Sequence, residues 1–157
     1  MTDPSAHDWR PPRGEGRASE VSAVIGAGDA VWRSASEDVL SWAVKTRSGF
    51  AVDTAGQVAV GDRLRISARI GWIRIVEPVE VVHVVAGAAR VGFSYRTLPG
   101  HPVSGEEAFI VHRDGDLVHL TVRSITRPAE RGGWRLAFPL LRVVQRLVRR
   151  RYLRALR

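Results

Sequence analysis

Val91-Gly92-Phe93-Ser94-Tyr95-Arg96-Thr97-Leu98-Pro99-Gly100-His101-Pro102 runs, two residues later, into Gly105-Glu106-Glu107-Ala108-Phe109. The stretch places a Pro-Gly-His-Pro turn between two runs that read as strands, because Pro presets the backbone for a turn and Gly supplies conformations other residues resist. It therefore predicts two antiparallel neighbours joined at a loop carrying His101. Tyr95 shares a face with Phe93 and Thr97. Glu106 and Glu107 are adjacent in a strand and so point to opposite faces, which leaves one carboxylate able to face His101.

Outward from this stretch, two-residue periodicity continues in both directions. Leu64, Ile66, Ala68 and Ile70 alternate with Arg63, Arg65, Ser67 and Arg69, the pattern of a strand with one buried face. Further strands are expected at 72–76, 79–85, 89–97, 106–113 and 117–126, with turns at Glu77-Pro78, Gly87 and Asp114-Gly115-Asp116. Glu20 to Ile25 alternates in the same way. Gly26-Ala27-Gly28-Asp29 then makes a turn, with Asp29 as helix N-cap, and a helix is expected over 30–45. Its inward positions are Trp32, Ala35, Val39 and Ala43, and Gly49 follows as terminator. A long amphipathic helix is expected over 136–156, with Leu140, Leu141, Val144, Leu147, Val148, Tyr152 and Ala155 on one face and Arg142, Arg146, Arg149, Arg150 and Arg157 opposite. Arg151 and Arg154 project from the apolar side of the last two turns, which implies either that the helix end overhangs the sheet or that these cations meet carboxylates or a cavity mouth.

This order predicts an α+β helix-grip (START-like) fold: a curved antiparallel sheet of six to seven strands wrapped round the C-terminal helix, with room between them for an apolar ligand. The alternative is a hotdog-like fold, in which the sheet wraps the first long helix. Residues 1–18, rich in Pro, Gly and charge, are expected to form a disordered arm, with local docking left open for Trp9, and 19–157 a single domain.

Composition narrows the function classes. The chain has 157 residues, no cysteine and a net charge of +8. Disulfides and thiolate chemistry are excluded, and a cytoplasmic setting is expected. No apolar run approaches a membrane span. Residues 135–157 hold eight arginines and no acid, leaving sixteen bases against sixteen acids in the rest. The body is neutral with a basic tail, which disfavours nucleic acid as a partner, and no aromatic platform interleaves with the arginines. Peripheral contact with an anionic membrane through the arginine face is a further reading. Lys45 is the only lysine, a bias that a GC-rich genome explains.

His83, His112 and His119 fall in separate strands without metal-ligand spacing, so neither a metal nor a cofactor is expected. Gly26-Ala27-Gly28 lacks the third glycine and parallel-sheet context of a phosphate loop and reads as a turn. Candidate ligand-binding residues are Tyr95, His101, Glu106, Glu107 and Arg127, the last as a buried cation pairing with one glutamate. Of these, His101, Glu106 and Glu107 are also the candidates for acid–base catalysis of cyclase, isomerase or hydrolase type. The first reading is a module that binds a small apolar or amphiphilic molecule, with oligomeric state left open.

The run Gly92-Phe93-Ser94-Tyr95 to Thr97-Leu98-Pro99-Gly100-His101-Pro102, with Gly105-Glu106-Glu107 and Phe109, resembles the signature of uncharacterised protein family 0548, a domain of unknown function. Gly26-Ala27-Gly28, Trp32, Trp42, Gly61-Asp62, Arg127-Pro128 and Arg150-Arg151-Tyr152-Leu153 extend the resemblance over residues 21–157. Arg96 and Thr126 stand where that family usually has glycine and serine. The resemblance implies a fold similar to helix-grip lipid-binding and polyketide-cyclase proteins, and it implies no activity.

Overall fold

The computed structural model describes residues 1–11, 14, 16–54, 56–70, 72–101, 103–128 and 148–157. Seven strands, β1 (Arg17–Ala27), β2 (Phe50–Val52), β3 (Arg63–Ile70), β4 (Ile73–Ala86), β5 (Arg90–Thr97), β6 (Val103–Asp114) and β7 (Leu117–Pro128), form one sheet. Their order is β1-β7-β6-β5-β4-β3-β2, and every neighbouring pair is antiparallel. Irregularities at Val24/Gly26 and Val81/His83 insert extra residues, and such bulges increase the twist that curls a sheet.

The inner face gathers Val79, Val81, Phe93, Tyr95, Phe109, Leu120 and Val122, all buried. Helix α1 (Gly28–Leu40) lies on it through Ala35 and Val39. Instead of one helix over 30–45, α1 stops and α2 (Ala43–Thr46) restarts beyond Trp42, which adopts a left-handed backbone with φ 62°. A non-glycine residue there costs free energy. Burial of the Trp42 indole offsets it, edge-on to Phe93 at 4.6 Å between ring centroids. The break turns α2 so that Lys45 enters the interior. Asp29 caps nothing, since the N-cap residue is Ala27; it pairs with Arg113 at 2.8 Å.

The strands expected at 72–76 and 79–85 are one strand, β4, and Glu77-Pro78 is no turn. Pairing with β5 ends at Val79–Thr97, so Pro78 lies where β4 has no β5 neighbour to receive an N–H. Glu77 consequently keeps the inward parity of Val79 and Val81. The helix expected over 136–156 lies outside the described residues up to 147; residues 148–152 are helical, and Tyr152 and Leu156 reach the core.

The stretch expected as a disordered arm also differs. Its last two residues open β1, and residues 1–11 lie on the outer face of the sheet, where Thr2 is fully buried. Two arginines on the outer face, Arg90 and Arg123, explain this. Arg90 donates to the Pro4 and Ala6 carbonyls at 2.6 and 2.9 Å. Arg123 donates to the Asp3 carbonyl at 2.6 Å and to Glu20, beneath the Trp9 ring. Charge-assisted bonds to main-chain oxygens hold a segment whose own sequence has no periodicity.

Gly105 shows how closely β6 and β7 approach. A Cβ there would sit 1.9 Å from the Ile125 carbonyl oxygen. Gly105→Ala is expected to destabilise the fold by more than about 2 kcal/mol in denaturant titration. Gly56→Ala, where the nearest atom would be 4.0 Å away, is expected to change stability by less than about 0.5 kcal/mol; equal effects would contradict the packing described.

Candidate functional site

Opposite parity on β6 separates the two glutamates. Glu106 turns to the outer face, where its carboxylate accepts the Thr2 amide at 2.7 Å. Glu107 turns inward. There it accepts the Tyr95 hydroxyl at 2.5 Å and lies 3.0 Å from the Lys45 ammonium. Lys45 also donates to the Tyr152 hydroxyl at 2.6 Å. It is 3% exposed. The rings of Phe50, Tyr95, Phe109 and Tyr152 surround the ammonium, with centroids between 4.7 and 5.6 Å away. Burial opposes this charge, but the Glu107 carboxylate counters it and Lys45 is held well above the ordinary lysine range. Burial and the same carboxylate push the Tyr95 and Tyr152 hydroxyls up, so both remain protonated donors or acceptors at neutral pH.

His101 joins this group from the β5–β6 loop. Its Nδ1 accepts the Val103 amide at 3.1 Å, which leaves the proton of a neutral ring on Nε2. Nε2 is 3.9 Å from the Glu77 carboxylate. Burial and the Lys45 charge push His101 down to about 4. Burial raises Glu77, against the pull of Lys45. The result is a neutral imidazole facing a carboxyl group that resists ionisation.

These side chains line a cavity of about 200 Å³ between the inner face of the sheet and residues 148–152, with Phe50, Ile75, Val103 and Val148 among its apolar walls. Tyr95, His101 and Glu107 are thus brought together. Glu106 is directed to the opposite face. Arg127 was expected to be buried against a glutamate; it is exposed, in register with Ser104 near the end of β7. Lys45 takes the position that Arg127 was expected to fill. Arg96 points outward to Glu80 at 2.8 Å, so the departure from glycine leaves Tyr95 undisturbed.

Lys45 and Glu77 are the site residues that sequence reasoning missed. A lone lysine in a chain that otherwise uses arginine was the available signal. An arginine's broader, more rigid head group does not replace a compact ammonium inside four rings. Glu77 was hidden by its neighbour, since Glu-Pro reads as a turn.

His112 and His119 stack across β6 and β7 with centroids 5.0 Å apart. Among the described residues no group of three or more His, Asp and Glu side chains is placed to hold a metal ion. No helix among them is long and apolar enough to cross a membrane.

Removing one member of the buried pair leaves an uncompensated charge. Lys45→Met is expected to cost about 3 kcal/mol or more, and Lys45→Met with Glu107→Gln to recover most of it, in urea titrations; a single-variant cost under about 1 kcal/mol would contradict the pairing. The pH dependence has a definite sign. The unfolded chain protonates His101 near 6.5 and the folded chain near 4, so the stability this group contributes is complete above 6.5 and lost as pH falls toward 4. His101→Asn keeps an acceptor for Val103 but does not titrate. The advantage of the natural protein over this variant is expected to shrink by roughly 2–3 kcal/mol between pH 7.5 and 4.5, and a constant difference would refute the assignment.

Comparison with known proteins places the chain. A UPF0548 protein of Deinococcus radiodurans is 42% identical over 77 residues, which is 48% of this chain and 38% of that protein; the match spans well under half of the relative's length. The aromatase/cyclase Zhui of a Streptomyces species superposes with a TM-score of 0.58 at 19% identity, over 89% of this chain and 90% of that one. Norcoclaurine synthase of Thalictrum flavum, solved in complex with dopamine and hydroxybenzaldehyde, superposes with a TM-score of 0.56 at 13% identity, over 97% and 96%. At such identities the likeness is one of fold, the helix-grip arrangement. A family model matches residues 5–155, and the chain belongs to that family, described as a domain of unknown function, DUF1990.

Proposed function

We propose that the protein binds a small, mainly apolar molecule with at least one hydrogen-bonding group in the cavity above Lys45. The observation that carries this reading is the pair His101 and Glu77, buried at the cavity wall with Nε2 and carboxylate 3.9 Å apart. That separation is too long for a good hydrogen bond. Neither group therefore satisfies the other, and a ligand oxygen accepting from His101 and contacting Glu77 engages both. Tyr95, Glu107 and Lys45 bind one another, so they form a charge-balanced floor rather than the primary contacts. A space of about 200 Å³ suits a molecule of one or two rings, given that an apolar cavity of about 150 Å³ takes up benzene. The complex of norcoclaurine synthase with two one-ring compounds agrees with that size for this fold.

A second reading, acid–base catalysis on the bound molecule, is favoured by the same pair. Glu77 with a raised pKa beside a neutral imidazole is what proton transfer at neutral pH needs. In that scheme Glu77 exchanges the proton with the bound molecule, while His101 Nε2–H hydrogen-bonds its oxygen and keeps its own proton.

Native mass spectrometry of the protein purified from its own host tests the binding reading. An added mass that disappears on denaturation is expected, together with its loss in His101→Ala. Returned at about a hundred times its Kd, the molecule should stabilise the fold by about 2.7 kcal/mol and raise Tm by roughly 5–10 °C. An empty protein whose Tm responds to no small aromatic compound would overturn binding. Conversion of the captured molecule by the natural protein but not by Glu77→Gln would favour catalysis.

A further inference from the structure

The way residues 148–152 close the cavity says what kind of molecule enters it. In a helix, positions 148 and 152 lie on one side, and 149 and 151 fall roughly 80° to either side of it. Val148 and Tyr152 face the interior, so Arg149 and Arg151 flank the opening on opposite banks. Arg149 leans toward β7, donating to the Ser124 hydroxyl at 2.7 Å. Arg151 is exposed and leans the other way: a Cβ on Gly49 would lie 3.8 Å from its Nη1. Both line the cavity.

On the Arg151 bank, next to Gly49, stands Ser48, buried and also lining the cavity, whose hydroxyl has no hydrogen-bond partner among the described residues. An unsatisfied buried donor beside a guanidinium is a pair of groups waiting for one acceptor. None of the described acids lining the cavity supplies it. Glu107 is held by Lys45 and Tyr95, Glu106 faces the other side of the sheet, and Glu77 lies with His101.

We infer that the ligand is an anion: an apolar body carrying a carboxylate or phosphate that docks between Arg149 and Arg151 and accepts from the Ser48 hydroxyl, its far end reaching His101. The inference rests on the binding reading above and names the ligand's class. The Lys45–Glu107 pair lies deeper and takes no part in the choice of charge.

Four probes with one apolar body separate the possibilities: 2-naphthoate, 2-naphthyl phosphate, 2-naphthylmethanol and 2-naphthylmethylammonium, titrated calorimetrically against the full chain. At least one of the two anions is expected to bind about tenfold or more tighter than the alcohol, and the ammonium more weakly than the alcohol. Arg151→Ala and Ser48→Ala are each expected to reduce the anion's advantage severalfold while leaving the alcohol's Kd within about twofold. Rising salt should weaken the anions alone. The better of the two anions identifies carboxylate or phosphate as the group. Equal binding of all four, or an anion preference that survives both substitutions, would overturn the anion assignment and leave the binding reading intact. Binding of none of the four, with no captured molecule in native mass spectra, would overturn both.

Discussion

The ammonium of Lys45 is the point from which the interior is organised. One charged group, removed from water, draws Glu107 from β6, Tyr95 from β5 and Tyr152 from the C-terminal segment into contact with α2. Each of these would be expensive to bury alone. Together they satisfy one another, with the rings of Phe50, Tyr95, Phe109 and Tyr152 around the ammonium. The segments that meet here are far apart in sequence, so the pair specifies how α2 and residues 148–157 sit on the sheet.

The same charge sets the chemistry of its neighbours. It depresses His101 and partly offsets the desolvation that raises Glu77. A neutral imidazole and a reluctant carboxyl are left facing an apolar space. Positive charge is thus placed at two depths, paired with Glu107 at the floor and carried at the mouth by Arg149 and Arg151, for which the described residues show no ion pair. That gradient distinguishes the cavity from a plain apolar hole.

Backbone strain positions this arrangement. Trp42 in a left-handed conformation ends α1 one turn before Lys45 and redirects the chain inward. A continuous helix would carry Lys45 along the direction of α1. On the outer face, Arg90 and Arg123 fasten residues 1–11 over Ala108 and Ile110, so both faces of the central strands are covered by elements from outside the meander.

Alternation was enough to read most strands, the Asp114-Gly115-Asp116 hairpin, the inward parity of Tyr95 with Phe93, and the rule that Glu106 and Glu107 must part, because each follows from a two-residue repeat or a local turn. The motif from Gly92 to Phe109 likewise pointed to the family through side chains adjacent in the chain. Which glutamate faces inward, which cation meets it, that Glu-Pro continues a strand, and that a Pro- and Gly-rich arm finds anchors were not legible. Each depends on a partner between about ten and 120 positions away. Local periodicity records how a residue meets the nearest surface, whereas the partners of a buried charge are chosen only when the sheet has curled and the desolvated groups must find one another.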